Sequence, residues 1–274
     1  MLEKELKLKY KKLTEALKNA GPPVVAFSGG TDSSLLAFVC ARLFGRKMLA
    51  VTACSETYTK TELSDAVSFA RKYKIPHKII RTSELGIKGF SKNPPNRCFY
   101  CKSELFGKLI AIATGKFTAG TVYDGANASD MDDFRPGIKA ARKLGVRSPL
   151  METGFAKDDI KRLSRHLKLP TWNKPACACL SSRIPYGEAI TRPKLQKIER
   201  AEQVLNELGF TGLRVRTHNK IARIEVPLKD MKKILREESR EFIIDKFKKL
   251  GYTYVTLDLE GFRSGSMNEV LRNK

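Results

Sequence analysis

Val24-Val25-Ala26-Phe27-Ser28-Gly29-Gly30-Thr31-Asp32-Ser33-Ser34 is the stretch that decides the fold. The four apolar residues read as a strand, the two glycines let the backbone turn sharply, and Asp32 to Phe44 reads as the helix that follows. Successive N–H groups in such a turn, together with the helix N-terminus, hold an anion, and the serine hydroxyls add donors. A phosphate site is therefore expected, with Asp32 available to help hold a magnesium ion. No G-x-x-x-x-G-K-[ST] or G-x-G-x-x-G is present, which excludes the Walker-type loop and the Rossmann fingerprint.

Outward from this turn, a helix is expected near Leu2 to Leu17 and strands at Met48 to Ala53, Lys78 to Arg81 and Phe117 to Tyr123. Helices at Thr59 to Tyr73 and Tyr100 to Ala113 lie between them. Strands alternating with helices of crossover length predict an α/β domain with a parallel sheet covered on both faces. The ligand crevice belongs at the carboxyl ends of its strands. Residues 124 to 180 read as loop-rich with two short helices. The pattern then changes: a helix at Lys194 to Leu208, strands near Leu213 to Arg216 and Ile221 to Val226, a helix at Lys229 to Leu250 and a strand at Tyr252 to Leu257. The expected domains are 1–180, α/β and nucleotide-binding, and 181–274, smaller and α+β.

The chain has 274 residues, 42% hydrophobic and 30% charged, which excludes a disordered chain, a collagen-like fibre and a disulfide-stapled miniprotein. No apolar run reaches about 18 residues and the N-terminus lacks a signal-peptide core, so a cytoplasmic protein without a membrane span is expected. The formal charge of +23 is spread over both halves. Such a field attracts nucleotides, nucleic acid or small molecules bearing phosphates and carboxylates, although solvated lysine-rich helix faces would give the same count.

Six cysteines in a chain with no secretory signal point to metal or thiol chemistry. Cys98-Phe99-Tyr100-Cys101 is a C-x-x-C flanked by Arg97 and Lys102, cations that favour thiolates, and Cys177-Ala178-Cys179 is a C-x-C. Four thiolates could close a structural zinc site, three could hold an iron–sulfur cluster with one open iron, and the C-x-x-C alone could be a redox dithiol. Cys40 and Cys54 read as small buried residues.

The SGGTDS turn resembles the PP-loop of ATP pyrophosphatases, which cut ATP between its α and β phosphates. A longer resemblance covers about residues 20 to 270. It is carried by Lys174-Pro175-Ala176-Cys177-Ala178-Cys179-Leu180-Ser181-Ser182-Arg183-Ile184-Pro185-Tyr186-Gly187, Asp124-Gly125-Ala126-Asn127, Arg135-Pro136-Gly137, Arg214-Val215-Arg216 with His218, Ala222 to Val226 and Leu257 to Gly265. These runs resemble the LarE family, the pyridinium-3,5-biscarboxylic acid mononucleotide sulfurtransferases that help build the nickel-pincer nucleotide. The resemblance implies adenylation of a substrate carboxylate by ATP with Mg2+, then displacement of AMP by sulfur to leave a thiocarboxylate.

Some members of the family sacrifice a cysteine sulfur; others carry transferable sulfur on a [4Fe-4S] cluster held by three cysteines. Cys98, Cys101 and Cys179 resemble the second kind, with Cys179 in the sulfur-donating position before Leu180-Ser181-Ser182-Arg183. Cys177 departs from the pattern, since many relatives have a small residue there. The implied nucleotide set is Ser28, Gly29, Gly30, Asp32, Ser33, Ser34, Thr52, Gly125 and Asn127, with Asp32 and Cys179 catalytic. The implied anion-binding set is Arg183, Arg214, Arg216 and Arg263, because guanidinium groups pair with carboxylate and phosphate through two bonds. Arg214 and Arg216 share one strand face, and Glu225 beside Arg223 is suited to orienting an arginine. His218 reads as a surface or structural histidine. A homo-oligomer is implied as well. Two other readings stay open: a PP-loop tRNA thiolation enzyme, for which the positive charge would suit a phosphate backbone, and a non-enzymatic nucleotide-binding zinc protein.

Overall fold

The computed structural model describes residues 3–116, 121–131, 136–175, 178–263 and 265–272. Arg135, Ala176, Cys177 and Ser264, which belong to the runs quoted above, lie outside the described residues, as does the start of the strand expected from Phe117. The chain forms two compact units: Met1–Ile87 with Asn96–Ala176, and Lys88–Pro95 with Cys177–Lys274.

The first unit is built from α1 (Lys4–Ala20), β1 (Val24–Ala26), α2 (Thr31–Phe44), β2 (Leu49–Cys54), α3 (Lys60–Lys72), β3 (His77–Arg81), α4 (Arg97–Lys116), β4 (Val122–Tyr123), α5 (Pro136–Lys143), α6 (Pro149–Glu152) and α7 (Lys157–His166). Its four strands run in the order β3-β2-β1-β4, every pair parallel, as the alternating pattern predicts. Val25, Phe27 and Ala50 pack with Leu13 and Leu17 of α1, Leu35, Leu36 and Val39 of α2, and Phe69 of α3. Val24, Leu49, Val51 and Val122 pack with Phe106, Leu109 and Ala113 of α4. Both faces of the sheet are thus covered, and each such leucine or phenylalanine stabilises the unit by about 1.5–3 kcal/mol through burial. Thr59 caps α3 by accepting from Glu62 N–H at 3.1 Å while the Glu62 carboxylate accepts from Thr59 N–H at 3.1 Å, a reciprocal box that fixes where the helix begins. The described residues of 124–180 hold three α-helices, α5 to α7, where two were expected; α6 is only four residues long and carries no periodicity to read.

The second unit contains α8 (Arg192–Glu207), β5 (Arg214–His218), β6 (Ile221–Glu225), α9 (Met231–Ile234), α10 (Glu237–Lys249), β7 (Tyr254–Leu257) and α11 (Glu269–Arg272). β5 and β6 are antiparallel and β6 and β7 parallel, with Arg216 opposite Arg223 and Arg214 opposite Glu225. Alternation sends Val215, Ala222 and Ile224 into a core with Ala201 and Leu205 of α8 and Ile243 and Phe247 of α10, which leaves the arginines on the opposite face. The single helix expected over Lys229 to Leu250 is divided. Arg236 is extended (φ −59°, ψ 142°), and Glu237 and Glu238 open a new helix at its favourable, positive end. Lys88–Pro95 joins this unit because the Asn93 amide donates to the carbonyls of Ile184 (3.1 Å) and Pro185 (2.7 Å), and Ile190 N–H donates to Ser91 O at 2.8 Å.

Candidate nucleotide site, guanidinium face and thiols

In the first unit the turn after β1 is tied down carbonyl by carbonyl. Thr52 Oγ1 donates to Phe27 O (2.7 Å), Tyr58 OH to Ser28 O (2.7 Å), Lys174 Nζ to Gly29 O (3.2 Å) and Ser34 N–H to Gly30 O (2.9 Å). With its acceptors consumed by the protein, the turn presents donors, and the first N–H groups of α2 have no intrahelical acceptor. Ser33 Oγ accepts from Ser28 N–H at 3.2 Å and lies 3.0 Å from Ser28 Oγ, so both hydroxyls meet at the mouth of the turn. Gly29 takes φ +67°, and a side chain there would stand 3.0 Å from Ala66 Cβ. Gly125, in the loop after β4, lies over the same turn: a Cβ on it would be 3.0 Å from Ser33 N. This is a cradle that only two glycines keep open, and it suits a polyphosphate.

Asp32 receives both of its 2.7 Å contacts from Lys157 Nζ, at the first turn of α7. A carboxylate at the loop, with phosphate oxygens beside it, is the donor set that magnesium takes, so the residues fit that ion. Asn127 is buried and serves its own turn, accepting from Ser129 N–H at 3.0 Å. Ser34 is fully buried and its hydroxyl has no partner among the described residues. Thr52 is held between Phe27 O and His77 Nε2 (2.8 Å); since the hydroxyl donates to the carbonyl, the imidazole donates to the hydroxyl. Burial pushes the Asp124 carboxyl above the usual range, against the Ser148 hydroxyl that donates to it at 2.7 Å.

The second unit gathers its arginines around carboxylates. Arg216 is bidentate to Glu225 (3.0 and 2.9 Å) and also donates to Ser182 O (2.7 Å) and Ser266 Oγ (3.0 Å). Arg223 reaches Glu225 at 3.2 Å, so Glu225 orients two guanidinium groups. Arg214 lies 5.1 Å over the Phe262 ring and donates to Leu213 O at 2.6 Å. Arg263 is paired with Glu260 (3.0 Å) and Glu269 (3.3 Å). Arg183 is 3% exposed and bidentate to Glu202 (2.9 Å twice), which also accepts from Val215 N–H at 3.0 Å. The same guanidinium donates to Ala178 O and to Cys179 O (3.0 Å), so it fixes the turn that carries Cys179. His218 is half-buried; burial and then Arg223 and Arg216 push its pKa down.

The thiols divide by environment. Cys98 is exposed and Cys101 half-buried in the first turn of α4, with Cys101 Sγ 4.0 Å from Glu84 Oε1. Cys179 is half-buried before a short 3-10 turn, Leu180–Arg183. Cys40 is buried, as expected, with its pKa raised by burial, whereas Cys54 is only half-buried. Thiolates are the soft donors an iron–sulfur cluster takes, but among the described residues no three His, Cys, Asp or Glu side chains form a preassembled metal-holding group. Sequence reading missed Lys157, Glu202 and Ser266, which carry no local signal; Lys174 stood in the quoted run, but its reach back to Gly29 did not.

The NAD synthase family model matches residues 6–91, the segment that contains the turn. The pyridinium-3,5-bisthiocarboxylic acid mononucleotide synthase of Lactiplantibacillus plantarum is 39% identical, over 94% of this chain and 93% of its own. The chain belongs to the LarE family. It is therefore an ATP-dependent PP-loop sulfurtransferase by class. An uncharacterized protein of Synechocystis sp. is 41% identical over 97% of this chain and 99% of its own, and one from Methanocaldococcus jannaschii is 31% identical over 96% and 98%.

Proposed function

We propose that the chain uses ATP and Mg2+ to adenylate a carboxylate of pyridinium-3,5-biscarboxylic acid mononucleotide and converts it to a thiocarboxylate, a step in making the nickel-pincer nucleotide. The observation that carries this reading is the end-to-end match to the Lactiplantibacillus plantarum synthase, with the PP-loop cradle supporting the ATP step. A carboxylate oxygen attacks the α-phosphorus, the bond to the bridging oxygen breaks, and pyrophosphate leaves with its electron pair. N–H groups of Thr31, Asp32 and Ser33, with the Ser28 and Ser33 hydroxyls, stabilise the growing charge, and Asp32 would hold the magnesium. Gly29 and Gly125 keep the cradle open and Gly30 leads into α2, while Ser34, Thr52 and Asn127 support it.

Arg214, Arg216 and Arg263 supply cations for a substrate with two carboxylates and a phosphate, and Glu225 orients Arg216. Arg183 acts through the backbone of Ala178 and Cys179. A sulfur nucleophile then attacks the acyl carbon and AMP leaves. Cys98, Cys101 and Cys179 would hold a [4Fe-4S] cluster, which when bound supplies sulfide on an open iron; this part rests on the cysteine pattern. The reading includes a cytoplasmic homo-oligomer, and no helix among the described residues is long and apolar enough to cross a membrane.

Anaerobic reconstitution with iron and sulfide, followed by intact-protein mass after turnover, tests the sulfur source. An unchanged polypeptide mass with bound iron and sulfide supports the cluster. Dehydroalanine at position 179 replaces it with the sacrificial route.

A further inference from the structure

Within Ser28–Ser34 the single acidic side chain is Asp32, and Lys157 Nζ stands 2.7 Å from each of its two oxygens. Hydrogen bonds between charged groups are the strong kind. The two side chains are 36% and 24% exposed, so water screens the pair only in part. The backbone that delivers the lysine is fixed as well. Lys157 N–H donates to Ser129 Oγ at 3.1 Å, and Ala128 N–H donates to Phe155 O at 2.8 Å. The start of α7 is thereby tied to the loop after β4, whose Gly125 packs against Ser33, and every one of these residues belongs to the first unit. The positive end of α2 adds to the lysine in balancing the Asp32 charge.

Magnesium takes roughly six oxygen ligands and enters protein sites through one or two carboxylates, filling the rest with water and phosphate oxygens. Among the described residues no three His, Cys, Asp or Glu side chains come together to hold a metal, so no protein cage surrounds Asp32. A dication nearing a carboxylate already shared with an ammonium, at the positive end of a helix, meets like charge. The phosphates of a nucleotide in the same cradle reverse that balance and supply the missing oxygens.

We propose that Lys157 is a positioning residue that keeps divalent metal off Asp32 until nucleotide is present, so that magnesium enters only together with the phosphates. The proposal rests on the reading of Asp32 as the magnesium residue of an ATP site, and adds to it an order of binding and a function for Lys157.

The probe is Mn2+, which takes the same oxygen donors and whose free concentration is read by electron paramagnetic resonance. It is titrated into the full-length protein, first alone and then with the α,β-methylene analogue of ATP. The unaltered protein is expected to bind Mn2+ weakly alone and more tightly with the analogue. Lys157→Met should bind Mn2+ alone about tenfold or more tightly than the unaltered protein, the scale of a hydrogen bond to a charged group. That gain should vanish in the double variant Lys157→Met with Asp32→Asn, and Lys157→Arg, which keeps the cation, should behave as the unaltered protein does. Lys157→Gln stands in if Lys157→Met does not fold. Equal affinity for Mn2+ alone with and without the ammonium overturns the proposal, as does a gain that survives Asp32→Asn. A different failure is distinguishable: if Asp32→Asn leaves Mn2+ binding with the analogue unchanged, Asp32 is not the metal residue, and the reading beneath the proposal falls first.

Discussion

Asp32 and Arg183 show how much a single side chain's surroundings decide. Asp32 stands at the positive end of α2 with Lys157 on both of its oxygens, so without metal its charge is already balanced. Asp32→Asn keeps the shape and removes the charge that a divalent ion needs. AMP formation in that variant is expected to fall by about 10²–10³, the range for losing one aligned electrostatic group, with thermal unfolding little changed. A rate within a few-fold of the parent would remove Asp32 from the metal site. Arg183 is the opposite case, since a guanidinium that could have been a solvated surface residue is nearly inaccessible and tied to Glu202. Arg183→Ala leaves Glu202 buried without its partner and should cost about 3–5 kcal/mol in urea unfolding. A loss under about 0.5 kcal/mol would mean that the pair is exposed in solution.

At the scale of elements, the phosphate loop works because two glycines allow close approach, Gly29 against Ala66 of α3 and Gly125 against Ser33 of α2. Gly125→Ala would place a carbon 3.0 Å from Ser33 N, a backbone atom that cannot step aside, so nucleotide affinity should fall while the sheet stays intact. Equal affinity by calorimetry would show that Ser33 N–H is not used. The strand–turn–helix around it was legible in sequence because a short apolar run, two glycines and a 3.6-residue pattern are all local signals. The face shared by Arg214 and Arg216 was legible for the same reason, through strand alternation. The break at Arg236 was not, since no glycine or proline marks it and the charges of Glu237 and Glu238 read equally well inside one long helix. Under the second sheet, burial pushes Tyr252 up to about 12 although Thr217 lies 2.8 Å from its hydroxyl. A phenol whose pKa is raised by folding adds stability below its unfolded value near 10, and that stability is lost as pH rises toward 12. Tyr252→Phe should therefore flatten the alkaline loss of stability between those values, measured by denaturant titration at stepped pH. An unaltered pH profile would place the ionisation elsewhere.

For the whole molecule, the division into two units follows two different patterns of residues: alternating strands and helices with apolar faces on both sides, then a three-stranded sheet with one apolar and one charged face. What sequence could not display were ties between distant positions, such as Lys157 to Asp32, Thr31 to Thr171 and Asn93 to Ile184, because each depends on the fold and none on a local period. The charge of +23 is compatible with a small anionic nucleotide and with an RNA backbone, so the substrate must be decided by product. The most direct measurement is anaerobic turnover with ATP, Mg2+ and pyridinium-3,5-biscarboxylic acid mononucleotide, beside a parallel reaction with bulk tRNA, reading every product by mass. The account predicts a mononucleotide with one carboxylate oxygen replaced by sulfur, accompanied by AMP and pyrophosphate and by no thiolated tRNA. ADP with inorganic phosphate, or sulfur appearing in tRNA and not in the mononucleotide, would contradict it.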